Sequence, residues 1–585
     1  MFLAAVTPLR AATYSSTQTG NWSSATTWGG AGVPGAGDTA TVNGGHVVTL
    51  DSSVTVATLT LSGGQITGTN SLNVTTIFNW NSGTLSGAST MTIASGTVGG
   101  GGTLDARALT NNGSLTFSAG NYFYMQNGAQ VTNNGTMNFL SDGGGVLQSG
   151  SLGTMAITNA GTIKKSGGTG SSTIQMPITG QSGSQVLAQS GTLNVAAVTA
   201  TGSTFDASSG ATLAFNTSDT RSLDATCTVS GLGTIYWAGG TNNVAAVYNV
   251  TGVTKNAATT TIGTSITSTG DLAVTGGTLT LNNSTTLSIN NLSMQSGILA
   301  GNAPITLTGS SQTWTGGTIA GTGLLTIPSG TTVAMNGYVY FDTRSITNAG
   351  NITYSSNYYS YFYNSASLTN SGTVNFQGDG GFYIGSGSPT VTNSGTIEKT
   401  GGTGQGAVQV SLISQSGSQV SIQSGAMLFG NVSATGASFS VSSGATAQFY
   451  YTTTASFDAA SSISGAGTIY FTAGTNSINA SYNITGATNA NGGTTTIGTN
   501  NVTSVGNMAV GGGALTINNS TPPTTGTITM TSGTLTLNYS STLTIATLTM
   551  QGGTLAGTAS IAVTAPSLTW TGGTVGGTGS LTIPA

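Results

Sequence analysis

Internal repetition at two scales constrains this chain more than any other feature. Three tryptophans sit in near-identical settings: Trp80 in FNWNSGTLSG, Trp314 in QTWTGGTIAGTG and Trp570 in LTWTGGTVGGTG, spaced 234 and then 256 apart. NAGTIKKSGGTG at Asn159 and NSGTIEKTGGTG at Asn393 are again 234 apart, QSGSQV recurs at Gln181 and Gln415, and GTIYW and GTIYF place Trp237 opposite Phe471. The difference between the two spacings is informative. The second copy gains one self-similar unit over 515–534: LTINNSTPPTTGTITMTSG from Leu515 is followed by LTLNYSSTLTIATLTMQGG from Leu535, with Met530 and Met550 in equivalent places. A chain that gains such a unit while its surroundings stay in phase is built from coils of about that length.

A second signal agrees. Asn111, Asn133 and Asn159 open TN-x-G-like steps 22 and 26 apart, and Asn348, Asn370 and Asn393 repeat them 22 and 23 apart. Asn and Gly tolerate left-handed backbone, so these steps are expected to be corners. Between them lie period-two runs such as Thr58-Leu59-Thr60-Leu61 and Thr534-Leu535-Thr536-Leu537, in which Leu points inward and Thr outward. No segment shows a helical period. Coils of ~20–23 residues with short strands and Gly/Asn corners predict an all-β, right-handed parallel β-helix, a β-solenoid. The rival, a string of β-sandwiches, does not account for a whole-coil insertion, and Pro522-Pro523 falls in a corner of the extra coil.

The expected layout is a signal-peptide remnant over 1–12, a capping block over 13–51, a first solenoid copy over 52–285, a second over 286–541 with its extra coil near 515–534, and the start of a third over 542–585. The capping block differs from the coils and holds Trp22, Trp28, Pro34, Asp38 and the single histidine, His46. Because the third copy stops early, more repeats and a membrane or wall anchor are expected beyond the C-terminus.

Composition enters where function classes are to be excluded. Charged residues are 3% of the chain and the net charge is −4, whereas disorder goes with low hydrophobicity and high net charge. The recurring β-formers therefore argue for order. Arg10, Arg107, Lys164, Lys165, Arg221, Lys255, Arg344 and Lys399 are too scattered for a nucleic-acid footprint. No stretch reaches the ~18 apolar residues of a membrane helix. With Cys227 as the only cysteine, no intrachain disulfide forms.

The pattern W-x5-W, VPGAGD, a Val/Thr strand, then LD and ATLTLSGG resembles the opening of many exported bacterial proteins and is similar to the G8 domain. The coils beyond it (SGTL, GGTLAG, ITNAGTI) resemble autotransporter passengers and filamentous-haemagglutinin-like adhesins. The resemblance implies a secreted, cell-surface β-helical stalk or adhesin and carries over no catalytic residue, metal or cofactor.

Chemistry-bearing residues are few, and several recur between copies: Asp105 and Arg107 with Asp342 and Arg344, Asp142 with Asp379, Lys165 with Lys399, Asp224 with Asp458. A catalytic site needs no duplication, so a local ion pair or corner bond in each repeat is expected. The alternative is a β-helical polysaccharide lyase or hydrolase, or its spacer, with Asp219, Arg221 and Asp224 as its best cluster. His46 has no Cys or His partners and is expected to hold a structural hydrogen bond. Strand alternation puts Tyr359, Tyr361 and Tyr363 on one face, matching Tyr122 and Tyr124. Such a row either stacks on sugar rings or only stabilises the stack. Outward Thr-x-Thr rows also suit an ice lattice, against which stands the uneven length of the coils. The expected function is structural and adhesive: a rigid rod, not an enzyme, that attaches to glycans, cells or surfaces.

Overall fold

A computed structural model describes residues 11–583 except 119, 151–152, 356, 452, 499–500 and 565–566. Most of the leader-like segment, residues 1–10, lies outside the described residues. The chain is a parallel β-solenoid, about 58% strand, and among the described residues there is no α-helix. It forms two compact units, Met1–Asn283 and Ser284–Ala585.

In the first unit the strands pair in parallel with their counterparts one coil away; the earliest coils carry long strands such as Val54–Thr67 and Leu72–Ser86, and later coils up to three short ones. Gln130–Asn133, Thr136–Phe139 and Gly145–Gln148 make one such coil. The pleat sends alternate residues inward. Leu109, Val131, Ile157, Ile178 and Val198 follow one another in register and are buried. On the opposite face of the same strands run Thr110, Thr132, Thr158, Thr179 and Thr199. Pairing offsets run from 18 (Tyr248 against Ile266) to 28 (Val146 against Ile174), a wider range than the expected coil. The excess length sits in corners, so the threonine row keeps its register through coils of unequal length. Uneven coil length is therefore no obstacle to ordered threonine rows.

The capping block is the first turn of this unit. Thr13–Ser15 pairs with Thr39–Asn43, which pairs in turn with Val54–Thr67. Trp22 and Trp28 pack edge to face at 4.8 Å, and their ring nitrogens donate to the carbonyls of Pro34 and Trp22. Asp38 accepts from the Ala12 and Gly35 amides, and His46 bonds to Ser16 at 2.8 Å.

The second unit repeats the construction. Leu325, Ile346, Leu368, Val391 and Leu412 form an inward row, with Thr326, Thr347, Thr369, Thr392 and Ile413 outward. The extra unit, 515–534, is one stacked coil: Leu515 pairs with Leu535, and Met530 with Met550. Pro522-Pro523 lies between strands Ala514–Asn518 and Thr524–Met530, as expected.

The asparagine corners differ from expectation. Asn111, Asn133, Asn159, Asn348, Asn370 and Asn393 do not have left-handed backbone; they are buried. Along each ladder an amide nitrogen donates to the amide oxygen one coil on, Asn111 to Asn133 and Asn133 to Asn159 at 2.7 Å, Asn348 to Asn370 at 2.7 Å and Asn370 to Asn393 at 2.8 Å. The neighbouring glycines serve close approach: a Cβ on Gly135 would strike the carbonyl oxygen of Gly113, and one on Gly372 that of Gly350.

Candidate functional site

The outward aromatic cluster lies in the second unit. Strand Tyr359–Tyr363 buries Ser360 and Phe362 and turns Tyr359, Tyr361 and Tyr363 out. Register stacks Tyr361 between Tyr340 and Tyr383, with ring centroids 5.8 Å from each. Tyr363 lies 6.4 Å from Tyr361 and 6.2 Å from Tyr340, and Tyr359 meets Tyr383 edge-on at 4.3 Å. Tyr338 and Tyr358 form a further pair at 4.9 Å. Beneath the sheet, Phe362 packs against Phe341 at 5.0 Å and Phe382 at 5.3 Å, which fixes the strands that carry the outer rings. Burial among these rings, with Tyr359 closest in effect, pushes the Tyr383 phenol well above its ordinary range.

Next to Tyr383, Ile384 begins a cleft of about 460 Å³ that Pro389, Gln409, Ser411, Asn431 and Tyr451 also line. The Asn431 amide oxygen accepts from the Thr453 amide and hydroxyl, each at 2.8 Å. That fixes the side chain, and its nitrogen carries no hydrogen bond among the described residues.

The first unit carries a reduced version. Tyr122 and Tyr124 turn outward with ring centroids 6.4 Å apart, but Tyr124 is flanked in register by Thr103 and Leu147. All five tyrosines expected on an outer face are therefore there. Tyr359, Tyr361 and Tyr363 belong to a larger cluster, and Tyr122 and Tyr124 to a pair. Tyr354 points inward instead and bonds to Ser360 at 2.8 Å. Sequence reasoning missed Tyr340 and Tyr383. The signal was there: they lie one coil before and one coil after Tyr361.

Five of the basic residues face the other way. Arg107, Lys165, Arg221, Arg344 and Lys399 are buried. Lys165 pairs with Asp142 at 2.9 Å and Lys399 with Asp379 at 2.7 Å, both cations also donating to corner carbonyls. The Lys165 bond holds the Asp142 carboxyl below its usual range. Arg344 donates to the carbonyls of Gly323, Ala320 and Ala303 and so ties together successive coils. Burial pushes it down to about 10, which leaves it charged at neutral pH. Arg107 and Arg344 do not pair with Asp105 and Asp342, which accept from Asn127 and Asn364. These two asparagines do have left-handed backbone.

Arg221 lies beside Asp219 and donates to its main-chain carbonyl at 3.3 Å, but no ion pair joins Asp219, Arg221 and Asp224 among the described residues. The Arg221 guanidinium lies inside the coil, donating to the carbonyls of Ala196 and Gly239 and to Asn242, and sits over the Phe215 ring. Asp224 caps a corner through Thr226, whose hydroxyl holds its carboxyl far below the usual range. The shallow recess beside it, about 240 Å³, is lined by that single carboxylate. Among the described residues no three His, Cys, Asp or Glu side chains gather as a metal site, and no helix is long and apolar enough to cross a membrane. No protein-family model, curated protein or solved structure matches the chain. Fold and site define a parallel β-solenoid with internal repeats and an outward aromatic face.

Proposed function

We propose that this chain is a structural and adhesive segment of a large secreted bacterial surface protein, of the autotransporter-passenger or haemagglutinin-like kind, that attaches to glycans. The tyrosine cluster around Tyr361 carries the reading. Flat rings on a stiff sheet present apolar faces and hydroxyls together, the combination that stacks on sugars. The buried cations and their carbonyl bonds support it, because they serve the coil and leave a weakly charged surface.

The test is attachment of the purified chain to polysaccharide-coated surfaces. Replacing Tyr359, Tyr361 and Tyr363 together by Thr, the residue that flanks Tyr124 in the first unit, is expected to lower attachment by about tenfold or more with an unchanged circular dichroism spectrum. Unchanged attachment would overturn the reading. The ordered threonine rows offer a second surface, suited to a periodic solid, and attachment that survives the triple substitution would point to them. Release of new reducing ends from the bound polysaccharide would favour the alternative, a carbohydrate-active enzyme.

A further inference from the structure

We propose that the tyrosine cluster and the cleft beyond it form one continuous track for a linear, uncharged polysaccharide. The inference rests on the glycan reading and narrows it to a ligand class.

The surface is long enough for a polymer. Tyr340, Tyr361 and Tyr383 come from three successive coils. Gln409 follows Val408, the partner of Phe382, in the fourth; Asn431 follows the Ala426–Phe429 strand of the fifth; Tyr451 follows Thr446–Phe449 in the sixth. At ~4.8 Å per strand the track runs for on the order of 24 Å. That suits several linked sugar rings and is far more than one ring fills.

The charge of the surface suits a neutral one. The track offers phenols, amides and hydroxyls, and the cleft lining contains neither an acid nor a base. Asp342 and Asp379, which flank strands of the track, are held by Asn364 and Lys399. Glu398 belongs to a different strand of its coil, Thr396–Lys399. The second unit has two basic residues in all, Arg344 and Lys399, and both are buried among carbonyls. A polyanion would find no cation on this surface, while a neutral chain needs none.

The two copies differ along this line. Register makes Tyr340 equivalent to Thr103, Tyr383 to Leu147 and Ile384 to Gln148, and the repeat spacing makes Asn431 equivalent to Ala197 and Tyr451 to Thr217. In the first copy the Gln148 backbone N–H donates to the side-chain oxygen of Gln175, the equivalent of Gln409. Gln409 itself makes no such bond among the described residues. Inward positions stay apolar and large: Met125 and Phe362, Phe215 and Phe449. The same coil is thus kept inside while its outer surface turns aromatic along this line. Core packing does not call for that change.

Affinity electrophoresis of the full chain tests the proposal. One set of gels holds neutral polymers (hydroxyethylcellulose, glucomannan, xyloglucan, galactan), the other alginate or polygalacturonate. At least one neutral gel is expected to retard the chain and neither anionic gel to do so. Tyr361→Thr, and Tyr451→Thr, which installs the first-copy residue, should each weaken retardation by about fivefold with unchanged circular dichroism. If Tyr361→Thr weakens it but Tyr451→Thr and Gln409→Ala do not, the continuous track is wrong and the adhesive face stands. Stronger retardation by the anionic gels overturns the ligand class. Retardation by no gel of either kind overturns the glycan reading as well.

Discussion

At the scale of single residues, the buried polar groups decide how the coils stay in register. A buried amide stabilises most when its donors and acceptor are all matched, and the inner rungs of the asparagine ladders meet that condition by repetition, whereas the Asn348 oxygen at the start of the second ladder has no partner among the described residues. Asn370 is the middle rung: it accepts from Asn348 at 2.7 Å and donates to Asn393 at 2.8 Å and to the Thr396 carbonyl at 3.1 Å. Asn370→Ala is expected to cost about 1–3 kcal/mol, the range for orphaned buried partners. Asn370→Asp keeps the shape yet should cost more, because a carboxylate cannot donate to two oxygens that wait for a proton. Hydrogen exchange of the strands Ser367–Asn370 and Thr390–Asn393 measures both; an Asp variant as protected as the Ala one would contradict the ladder's role. The TN-x-G pattern is visible in the chain, but its cause is not, because Asn suggests a left-handed turn when no partner one coil away is in view. The repeated Asp105–Arg107 pair resolves into the corner bond rather than the ion pair, the two outcomes that its recurrence allows. The Arg107 side chain enters the coil and donates to the Ser86 carbonyl, while Asp105 stays at the corner with Asn127. Closeness in sequence therefore brings no ion pair.

At the scale of the coil, each element is an addition to a stack and few of its contacts are local. Stability in such folds is approximately a sum of coil and neighbour terms. The unit over 515–534 forms one coil whose strands meet their counterparts at an offset of 20 without a slip from Ala514 to Asn518. Deleting 515–534 is therefore expected to leave Val510 and Met550 in facing strands and the circular dichroism per residue unchanged. Deleting 515–524 should instead bring unlike faces of the coil together and unfold the neighbouring turns. A folded half-coil deletion, or an unfolded whole-coil one, would contradict the one-coil assignment. This is also why the fold is legible in the sequence and the site only partly so. The coil announces itself through the whole-coil insertion and through Leu and Thr alternation. The tyrosine ladder needs the register of particular coils, and offsets that run from 18 to 28 hide it. Tyr359, Tyr361 and Tyr363 share one strand, so alternation alone finds them. Tyr340 and Tyr383 reach them only across coil boundaries.

At the scale of the whole chain, the scarcity of charge sets how it responds to its surroundings. A surface with few ions has little to be screened, and the ion pairs Lys165–Asp142 and Lys399–Asp379 involve cations with fully buried side chains, where salt acts weakly. Titration bounds the pH range in the same way. Asp51, Asp142 and Asp458 have carboxyls held below 3.8, first by their bonds to Ser23, Lys165 and Ser461. Their contribution is present above pH 3.8 and is lost as the pH falls through the lowered values. Burial pushes Tyr248 up to about 12 and raises Tyr354 and Tyr482 as well, each bonded inside its coil. Those phenols contribute stability that is whole below pH 10 and declines as the pH climbs from 10 towards 12, since the unfolded chain releases its protons first. The Cys227 thiol, raised above 9.0 by burial, begins the same decline somewhat earlier. Between these edges none of these groups changes its proton count on folding. Denaturation midpoints are therefore expected to stay level from about pH 4 to about pH 8, and from about 0.05 M to about 1 M salt. Above pH 10 the phenolate absorbance of these three tyrosines, and of Tyr539, which is buried and raised in the same way, should appear together with unfolding and after that of the exposed ones. A midpoint that slopes steadily across neutral pH, or falls with salt, would mean that exposed ion pairs hold the coils, contrary to the inward placement of the cations.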